Sequence, residues 1–228
     1  MKAGIFAAGM GSRFQKAGWQ EPKPLIKLKG RPIMAHVLEN LFLSGLEKVE
    51  ILLNEDPFFD AVEAYLLKHP KADHIQVWRK TTASSFESFC YMMNRLEKPP
   101  FLLTTVDTIF NHSELNDYLR IQAYPALCDM VLAVTNFIHD EKPLWVEIDD
   151  EDKIKAMGES VSSKEFITAG LYLILKDLRK AVAENNFPAL RNFLQYFVEN
   201  HGSVRAKRFQ QVLDIDSPQD ITLGEKIL

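Results

Sequence analysis

The sequence predicts an α/β domain with a mainly parallel β-sheet, and two observations support this prediction. Short, almost wholly apolar runs alternate with longer segments whose apolar residues recur at helical spacing. Runs that are apolar along their whole length are typical of strands covered by helices on both faces. We predict strands at Ala3–Ala8, Val49–Leu53, Ile75–Trp78, Phe101–Val106 and Met130–Thr135, and helices at Ile33–Leu43, Pro57–Lys68, Ser84–Leu96 and Ser113–Gln122.

The pattern changes after about residue 136. The segment LWVEIDDEDKIKAM predicts a β-hairpin around the acidic turn Asp149–Asp152. A strand in FITAGLYLIL, helices around Asp177–Glu184 and Pro188–Asn200, a basic strand in SVRAKRF and a helix after Pro218 are expected to follow. Because no linker or repeat interrupts the chain, we expect residues 1–228 to form a single domain. The second half should extend the same sheet, with the hairpin as a flap over it.

Composition excludes several classes of protein. With 46% hydrophobic and 25% charged residues, the chain is neither disordered nor a membrane protein. No apolar run approaches the roughly 20 residues that a bilayer requires, and MKAGIFAAG lacks the features of a signal peptide. A cytoplasmic location is therefore expected. Cys90 and Cys128 have no metal-type or redox-type spacing, which favours buried packing.

Charge is distributed unevenly along the chain. The formal net charge is −4, yet residues 1–31 contain seven lysine and arginine residues and one acidic residue, Glu21. A cationic segment in an acidic protein suits a small polyanionic substrate, whereas a nucleic-acid-binding domain needs a basic face over much of its surface. We therefore expect no nucleic-acid partner and no membrane partner.

A glycine-rich segment, AAGMGSRF, follows the first predicted strand. Glycines allow a tight bend that turns backbone N–H groups toward one point, and the N-terminus of the next helix adds partial positive charge, so phosphate is the natural ligand. A dinucleotide-binding fingerprint requires a third glycine where Phe14 stands, and the Walker A pattern is also absent. The sequence therefore disfavours a dinucleotide-dependent oxidoreductase.

The same segment, followed by PKPL at residues 22–25, resembles the signature of the sugar-1-phosphate nucleotidyltransferases. These NDP-sugar pyrophosphorylases, or NTP transferases, join a nucleoside triphosphate to a sugar 1-phosphate or a similar phosphorylated acceptor and release pyrophosphate. The resemblance implies a Rossmann-like three-layer sandwich with a mainly parallel mixed sheet, of the nucleotide-diphospho-sugar transferase type. It also implies nucleotide binding by the loop residues Ala7, Ala8, Gly9, Gly11 and Ser12.

The resemblance assigns the catalytic roles to Arg13, on the triphosphate, and to Lys23, on the phosphates at the reaction centre. This assignment is chemically sensible because the attacking phosphate oxygen is already an anion that must approach another anion. Arginine supplies a fixed fork of donors and lysine a point charge. Without this context, Arg13 would be a helix-surface charge and Lys23 an exposed lysine in a proline turn.

Two aspartates are candidate ligands for Mg²⁺. Asp107 follows an apolar strand, and ligands of open parallel sheets bind outside the carboxyl ends of strands. The family has a metal-binding aspartate here and a second one late in the chain, which the I-D-[ST]-P-x-D pattern matches to Asp216. Asp214 is the reserve candidate. Ser217 is expected to cap the last helix, with Pro218 at its first position, and Asp220 is expected to have a structural role there. The resemblance thus implies Mg²⁺ bound by Asp107 and Asp216.

Other positions give weaker signals. Thr82 and Ser84 lie where the family contacts the base or the acceptor, although Ser84 equally suits a helix N-cap. Ala169 and Gly170 resemble the family's acceptor-side strand, where a glycine permits close approach of a ligand. Lys164 is expected to be a solvated lysine, since its spacing from that strand differs from the family's.

The base, the acceptor and the oligomeric state stay open at this point. Trp19 and Trp145, with Glu147 nearby, would suit a sugar or a quaternary ammonium such as choline, although packing is the expected role of both rings. His36 is expected to be packed on an apolar helix face. The alternatives are a cytidylyltransferase acting on phosphocholine or a polyol phosphate, an enzyme acting on the molybdenum-cofactor pterin, and a non-catalytic nucleotide-sensing domain of the same fold.

Overall fold

A computed structural model describes residues 1–124, 126, 128–140, 142–183, 186–200 and 202–228. The helices are α1 (Ser12–Lys16), α2 (Ile33–Leu43), α3 (Asp60–Leu67), α4 (Ser85–Leu96), α5 (His112–Tyr118), α6 (Arg179–Ala183), α7 (Leu190–Asn200) and α8 (Pro218–Ile227). The strands are β1 (Lys2–Ala7), β2 (Lys27–Leu28), β3 (Arg31–Pro32), β4 (Lys48–Leu53), β5 (Ile75–Arg79), β6 (Phe101–Thr105), β7 (Thr108–Phe110), β8 (Met130–Thr135), β9 (Trp145–Ile148), β10 (Ile154–Met157), β11 (Phe166–Ile174), β12 (Val204–Arg208) and β13 (Val212–Asp214). The helix predicted around Asp177–Glu184 corresponds to α6, and Glu184 itself lies outside the described residues.

Nine of the strands in the described part of the chain form one mixed sheet. Its parallel block runs in the order β6, β1, β4, β5, and β12 lies parallel to β8. The long strand β11 runs antiparallel to β6, β8 and β9, and thereby joins the two halves of the chain. The predicted mixed α/β sheet and its extension by the second half are confirmed.

The hairpin β9–β10 lies within the sheet rather than above it, so the predicted flap is wrong. Val146 and Trp145 of β9 pair with Phe166 and Ile167 at the start of β11. Because β11 is longer than β6, its first residues have free hydrogen-bonding groups on that side, and β9 satisfies them.

Both faces of the sheet are covered, which gives the predicted three-layer sandwich. Alternate residues of a strand point to opposite faces; accordingly, Leu102 packs in the cluster that contains the apolar face of α2, and Leu103 packs in the cluster that contains α4 and α7. Leu171 and Tyr172 of β11 divide in the same way. Within the described residues, no helix has the length and apolar character needed to cross a membrane.

The arrangement around β1 creates a crevice at the edge of the sheet. From β1 the chain continues to β4 on one side and returns later to β6 on the other, which is the switch point where α/β sheets bind ligands. A second small sheet, β7 with β13, was not predicted because both strands are only three residues long. The backbone N–H of Ile215 then donates to the carbonyl of Asp107 at 3.0 Å, so the late segment is fixed beside the end of β6.

Candidate active site

The glycine-rich loop leaves β1 and enters α1 through Gly11. Gly11 has φ of 65°, a left-handed conformation that favours glycine, and its carbonyl accepts from the N–H of Phe14 at 2.9 Å. A Cβ at Gly11 would lie 3.1 Å from Cβ of Lys23, whereas a Cβ at Gly9 would meet open space. Gly11 is therefore needed for the turn and for the approach of Lys23, while Gly9 leaves the loop open toward the cavity.

Lys23 lies at the centre of the site, on the short 3₁₀ turn Lys23–Leu25. Its Nζ donates to Asp216 Oδ1 at 2.8 Å and also to Asp107 Oδ2, and 11% of its side chain is exposed. Burial lowers the pKa of Lys23, but the two carboxylates outweigh burial and hold the pKa above its ordinary value. Lys23 is therefore a permanent cation between two anions.

Arg13 completes the charged cluster through Asp216. Its Nη1 lies 2.9 Å from Asp216 Oδ2, so this carboxylate bridges Arg13 and Lys23. Burial would raise the pKa of Asp216, yet the two cations outweigh that effect and keep the pKa below its usual value. The structure thus brings Arg13, Lys23, Asp107 and Asp216 together, as the resemblance implied.

Asp214 occupies a different position, beneath the cluster. It is partly buried and accepts a hydrogen bond from Thr108 Oγ1 at 2.6 Å, and the Thr108 hydroxyl also contacts that of Thr105. Burial first, and then the charge of Asp107, raise the pKa of Asp214 to about 7. A Cβ at Gly170 would collide with the hydroxyls of Thr105 and Thr108. Packing within the protein therefore requires glycine at this position, whether or not a ligand approaches it.

The predicted cap at Ser217 and the structural role of Asp220 are confirmed. Its Oδ2 accepts from the N–H and the hydroxyl of Ser217 at 2.7 and 2.8 Å, and Ser217 and Asp220 form a capping box at the start of α8. Asp220 Oδ2 also accepts from the N–H of Asp216 at 3.0 Å. The cap therefore fixes the backbone of Asp216.

A cavity of about 710 Å³ opens at this edge of the sheet. Every predicted site residue except Ala7 lines it; Ala7 is buried at the end of β1. Ser84 is the N-cap of α4, where its Oγ accepts from the N–H of Glu87 at 3.2 Å, and Thr82 Oγ1 lies 2.7 Å from Ser88 Oγ. Both residues thus have structural partners as well as a place on the cavity wall.

Among the polar residues of the cavity wall that sequence reasoning missed are Asn54, Asp140, Tyr172 and Arg191. Asn54 donates to the carbonyl of Ala8 at 3.2 Å and so ties the end of β4 to the glycine-rich loop. None of the four belongs to a local motif. For Asn54 alone a signal was available, since it follows an apolar strand as Asp107 does.

Trp19 and Trp145 do not line the cavity. Trp19 packs edge-on against Phe14, with ring centroids 5.6 Å apart. Lys164 Nζ lies 5.5 Å from the centroid of the Trp145 ring and 2.7 Å from Glu159 Oε2. Glu147 accepts hydrogen bonds from Ser162. Trp145 and Glu147 therefore form no cage on the wall of this cavity.

The two carboxylates around Lys23 form a candidate cation site. Oxygens of Asp107 and Asp216 converge on one point, which the lysine ammonium occupies. Among the described residues, no group of three or more His, Cys, Asp or Glu side chains is placed to hold a metal ion by itself. Two carboxylates fit Mg²⁺ in the way that this ion is usually held with nucleotides, by one or two carboxylates together with phosphate oxygens and water.

The fold and the charged crevice define a nucleotidyltransferase-like α/β domain, and comparison with known proteins identifies its family. Residues 3–181 match the family described as the MobA-like NTP transferase domain, and the chain belongs to this family. Asp214 and Asp216 lie beyond the matched region.

Individual relatives agree with this assignment. The chain is 24% identical over 201 residues to the bifunctional protein GlmU of Methanococcus maripaludis strain C5. This alignment covers 86% of the chain and 45% of the relative. This chain thus spans about half the length of the GlmU relatives that it matches over most of its own length.

Solved structures share the whole fold. The inositol-1-phosphate CTP transferase from T. maritima superposes with a TM-score of 0.81 at 21% identity, over 99% of this chain and 95% of its own. A UDP-glucose pyrophosphorylase complexed with UDP-glucose gives a TM-score of 0.79 at 17% identity, over 99% and 97% of the two chains. These similarities establish the nucleotide-diphospho-sugar transferase fold.

Proposed function

We propose that this protein is a cytoplasmic, Mg²⁺-dependent nucleotidyltransferase that joins a nucleoside triphosphate to a sugar 1-phosphate or a comparable phosphomonoester and releases pyrophosphate. The observation that carries the proposal is the cluster of Arg13, Lys23, Asp107 and Asp216 beside the glycine-rich loop. Family membership supports the same class of reaction.

The reaction is an in-line displacement at the α-phosphorus of the triphosphate. An oxygen of the acceptor phosphate forms the new P–O bond, and the bond to the pyrophosphate leaving group breaks with its electron pair. No general base is required because the attacking oxygen is already ionised. Arg13 and Lys23 lower the repulsion between the two anions and hold them in line.

Asp107 and Asp216 would hold Mg²⁺ in this proposal. When bound, the ion would supply positive charge that offsets the negative charge of the phosphates. Lys23 Nζ contacts both carboxylates and lines the same cavity as the glycine-rich loop, so it would add positive charge beside the phosphates.

The acceptor is best supported as a hydroxylated ring that carries a phosphate. Proteins of the same fold are named for inositol 1-phosphate and UDP-glucose. A phosphocholine acceptor has less support because Trp145 and Glu147 have other partners and do not line the cavity. A sensing domain without catalysis has no specific observation in its favour, since the charged cluster is present.

A pyrophosphate-release assay tests the proposal. Each common nucleoside triphosphate would be paired with glucose 1-phosphate, inositol 1-phosphate, a linear polyol phosphate and phosphocholine, with and without Mg²⁺. We expect release with at least one sugar or inositol phosphate, and only with the metal. Nucleotide binding without release for any pair would favour the sensing domain instead.

A further inference from the structure

The cavity has two sides that meet at β6. Loops after β1, β4 and β5 form one side, with Gly9, Asn54 and Thr82 on the wall. The other side is formed by β11 and by the segment that leads into β9, with Gly170 and Leu144 on the wall. The glycine-rich loop belongs to the first side, so an acceptor is expected on the second.

Arg191 lies on this second side, in the first turn of α7. Its Nη2 donates to the carbonyl of Lys142 at 2.9 Å, which joins α7 to the segment before β9. The neighbouring Leu190 and Leu194 are buried and also line the cavity. The preceding residue is fixed as well, because the N–H of Leu190 donates to Ser85 Oγ at 3.0 Å. Arg191 is therefore held in place at the cavity wall.

The cations of the cavity wall differ in their partners. Arg13 and Lys23 pair with carboxylates at the reaction centre. Arg191, by contrast, forms no ion pair with any carboxylate in the described part of the chain, although it donates to a neutral carbonyl. Arg191 lines the same cavity as Tyr172 and Asp107, so it belongs to the surroundings of the reaction centre.

We propose that Arg191 is an acceptor-binding residue whose guanidinium binds oxygen substituents of the acceptor and selects hydroxylated or anionic acceptors over cationic ones. This inference rests on the proposed function. A guanidinium has donors that suit hydroxyl and phosphate oxygens. The same group repels a quaternary ammonium, since both carry positive charge. Asp140, on the same wall, offers carboxylate oxygens to hydroxyl donors.

The test compares steady-state kinetics of the wild type with those of Arg191→Gln and Arg191→Lys, using the best nucleotide and acceptor from the pyrophosphate assay. Arg191→Gln should raise KM for the acceptor by about 10- to 100-fold, the size expected for one charge-assisted hydrogen bond, and leave KM for the nucleotide within about twofold. Arg191→Lys keeps the positive charge but loses the planar set of guanidinium donors. Its KM for the acceptor should lie between those of the wild type and Arg191→Gln. The wild type should prefer the hydroxylated acceptor to phosphocholine, and Arg191→Gln should narrow that preference.

Arg120→Gln is the matched control. Arg120 follows α5, forms an exposed ion pair with Asp117 at 3.4 Å, and is not part of the cavity wall. This variant should keep both KM values. An unchanged KM for the acceptor in Arg191→Gln would overturn the inference, and so would a rise in KM for the nucleotide instead. A wild-type protein without transfer activity would refute the proposed function itself, a result distinct from these.

Discussion

Lys23 Nζ and Asp216 Oδ1 lie 2.8 Å apart, although 193 residues separate them in the chain. The pair joins the proline-flanked turn near the start of the chain to the segment between β13 and α8. Asp107 contacts the same ammonium from the end of β6. One cation thus connects three distant parts of the chain at the edge of the sheet, and the first two predictions concern this connection.

Replacing Lys23 with alanine should reduce both turnover and stability. Pyrophosphate release should fall by about 100-fold or more, as for loss of a charge that stabilises the transition state. The carboxylates of Asp107 and Asp216 would then face each other without a cation, which should lower the free energy of unfolding by about 1–3 kcal/mol, a value reduced for partial exposure. Thermal unfolding and the pyrophosphate assay measure the two effects.

Lys27→Ala is the control for that experiment, because Lys27 is exposed on β2 and does not line the cavity. It should match the wild type in both assays. Near-normal turnover in Lys23→Ala would remove Lys23 from the proposed mechanism.

Asp107→Asn tests the proposed metal site. The amide keeps the size of the side chain but loses its charge, so turnover should fall by about 100-fold and the half-saturating Mg²⁺ concentration should rise by about tenfold or more. A Mg²⁺ titration of pyrophosphate release measures both values. Asp117→Asn, on the exposed face of α5, should leave the titration unchanged. If Asp107→Asn retained the wild-type Mg²⁺ dependence, the metal assignment would be wrong.

The two glycines Gly9 and Gly170 should respond differently to a methyl group. Gly170→Ala pushes Cβ into the hydroxyls of Thr105 and Thr108 and should destabilise the fold by about 1–3 kcal/mol. Gly9→Ala meets open space, so its stability should stay within about 0.5 kcal/mol of the wild type. Because Gly9 lines the cavity, its methyl group should instead raise KM for the nucleotide.

Urea denaturation and nucleotide titrations distinguish these effects. Equal stability losses in the two variants would contradict the described loop geometry. A wild-type KM for the nucleotide in Gly9→Ala would place the triphosphate elsewhere.

Cys90 gives a prediction about pH. Burial, as the largest cause, raises the pKa of the Cys90 thiol to about 11, from an ordinary value of 9.0. The reactive thiolate is therefore scarcer at every pH below this value, and alkylation by iodoacetamide at pH 8 should be about 100-fold slower than for an unperturbed thiol. The rate should still be rising at pH 10. Cys90→Ser leaves only the buried Cys128 and supplies the background rate. A half-maximal rate near pH 9 would show that the thiol is not perturbed.

Local patterns account well for the parallel core and for the polar cluster. The apolar runs predicted for β1, β4, β6 and β8 agree with the structure to within one residue at either end, because strands buried on both faces have few alternative interpretations. The short strands β7 and β13 escaped prediction, since three residues carry no measurable periodicity. The hairpin was recognised, but its place in the sheet depends on the free edge of β11, which no local pattern reveals.

The site residues also differ in whether a local sequence pattern reveals them. Arg13, Lys23, Asp107 and Asp216 stand in recognisable sequence contexts, and the structure brings them together. Arg191 had no such context. It reaches the cavity only because α7 packs beside α4 and Leu190 bonds to Ser85, a long-range contact that a single sequence does not encode in readable form.

The pairing of β13 with β7 completes the site from outside the region that matches the family. Residues 3–181 match the family and contain Lys23 and Asp107, whereas Asp216 is held in place by the late strand β13 and by the bond from Ile215 to Asp107. The pair of carboxylates around Lys23 is therefore supplied by two distant parts of the chain. A chain that ended at residue 181 would present Lys23 with one of these carboxylates instead of two.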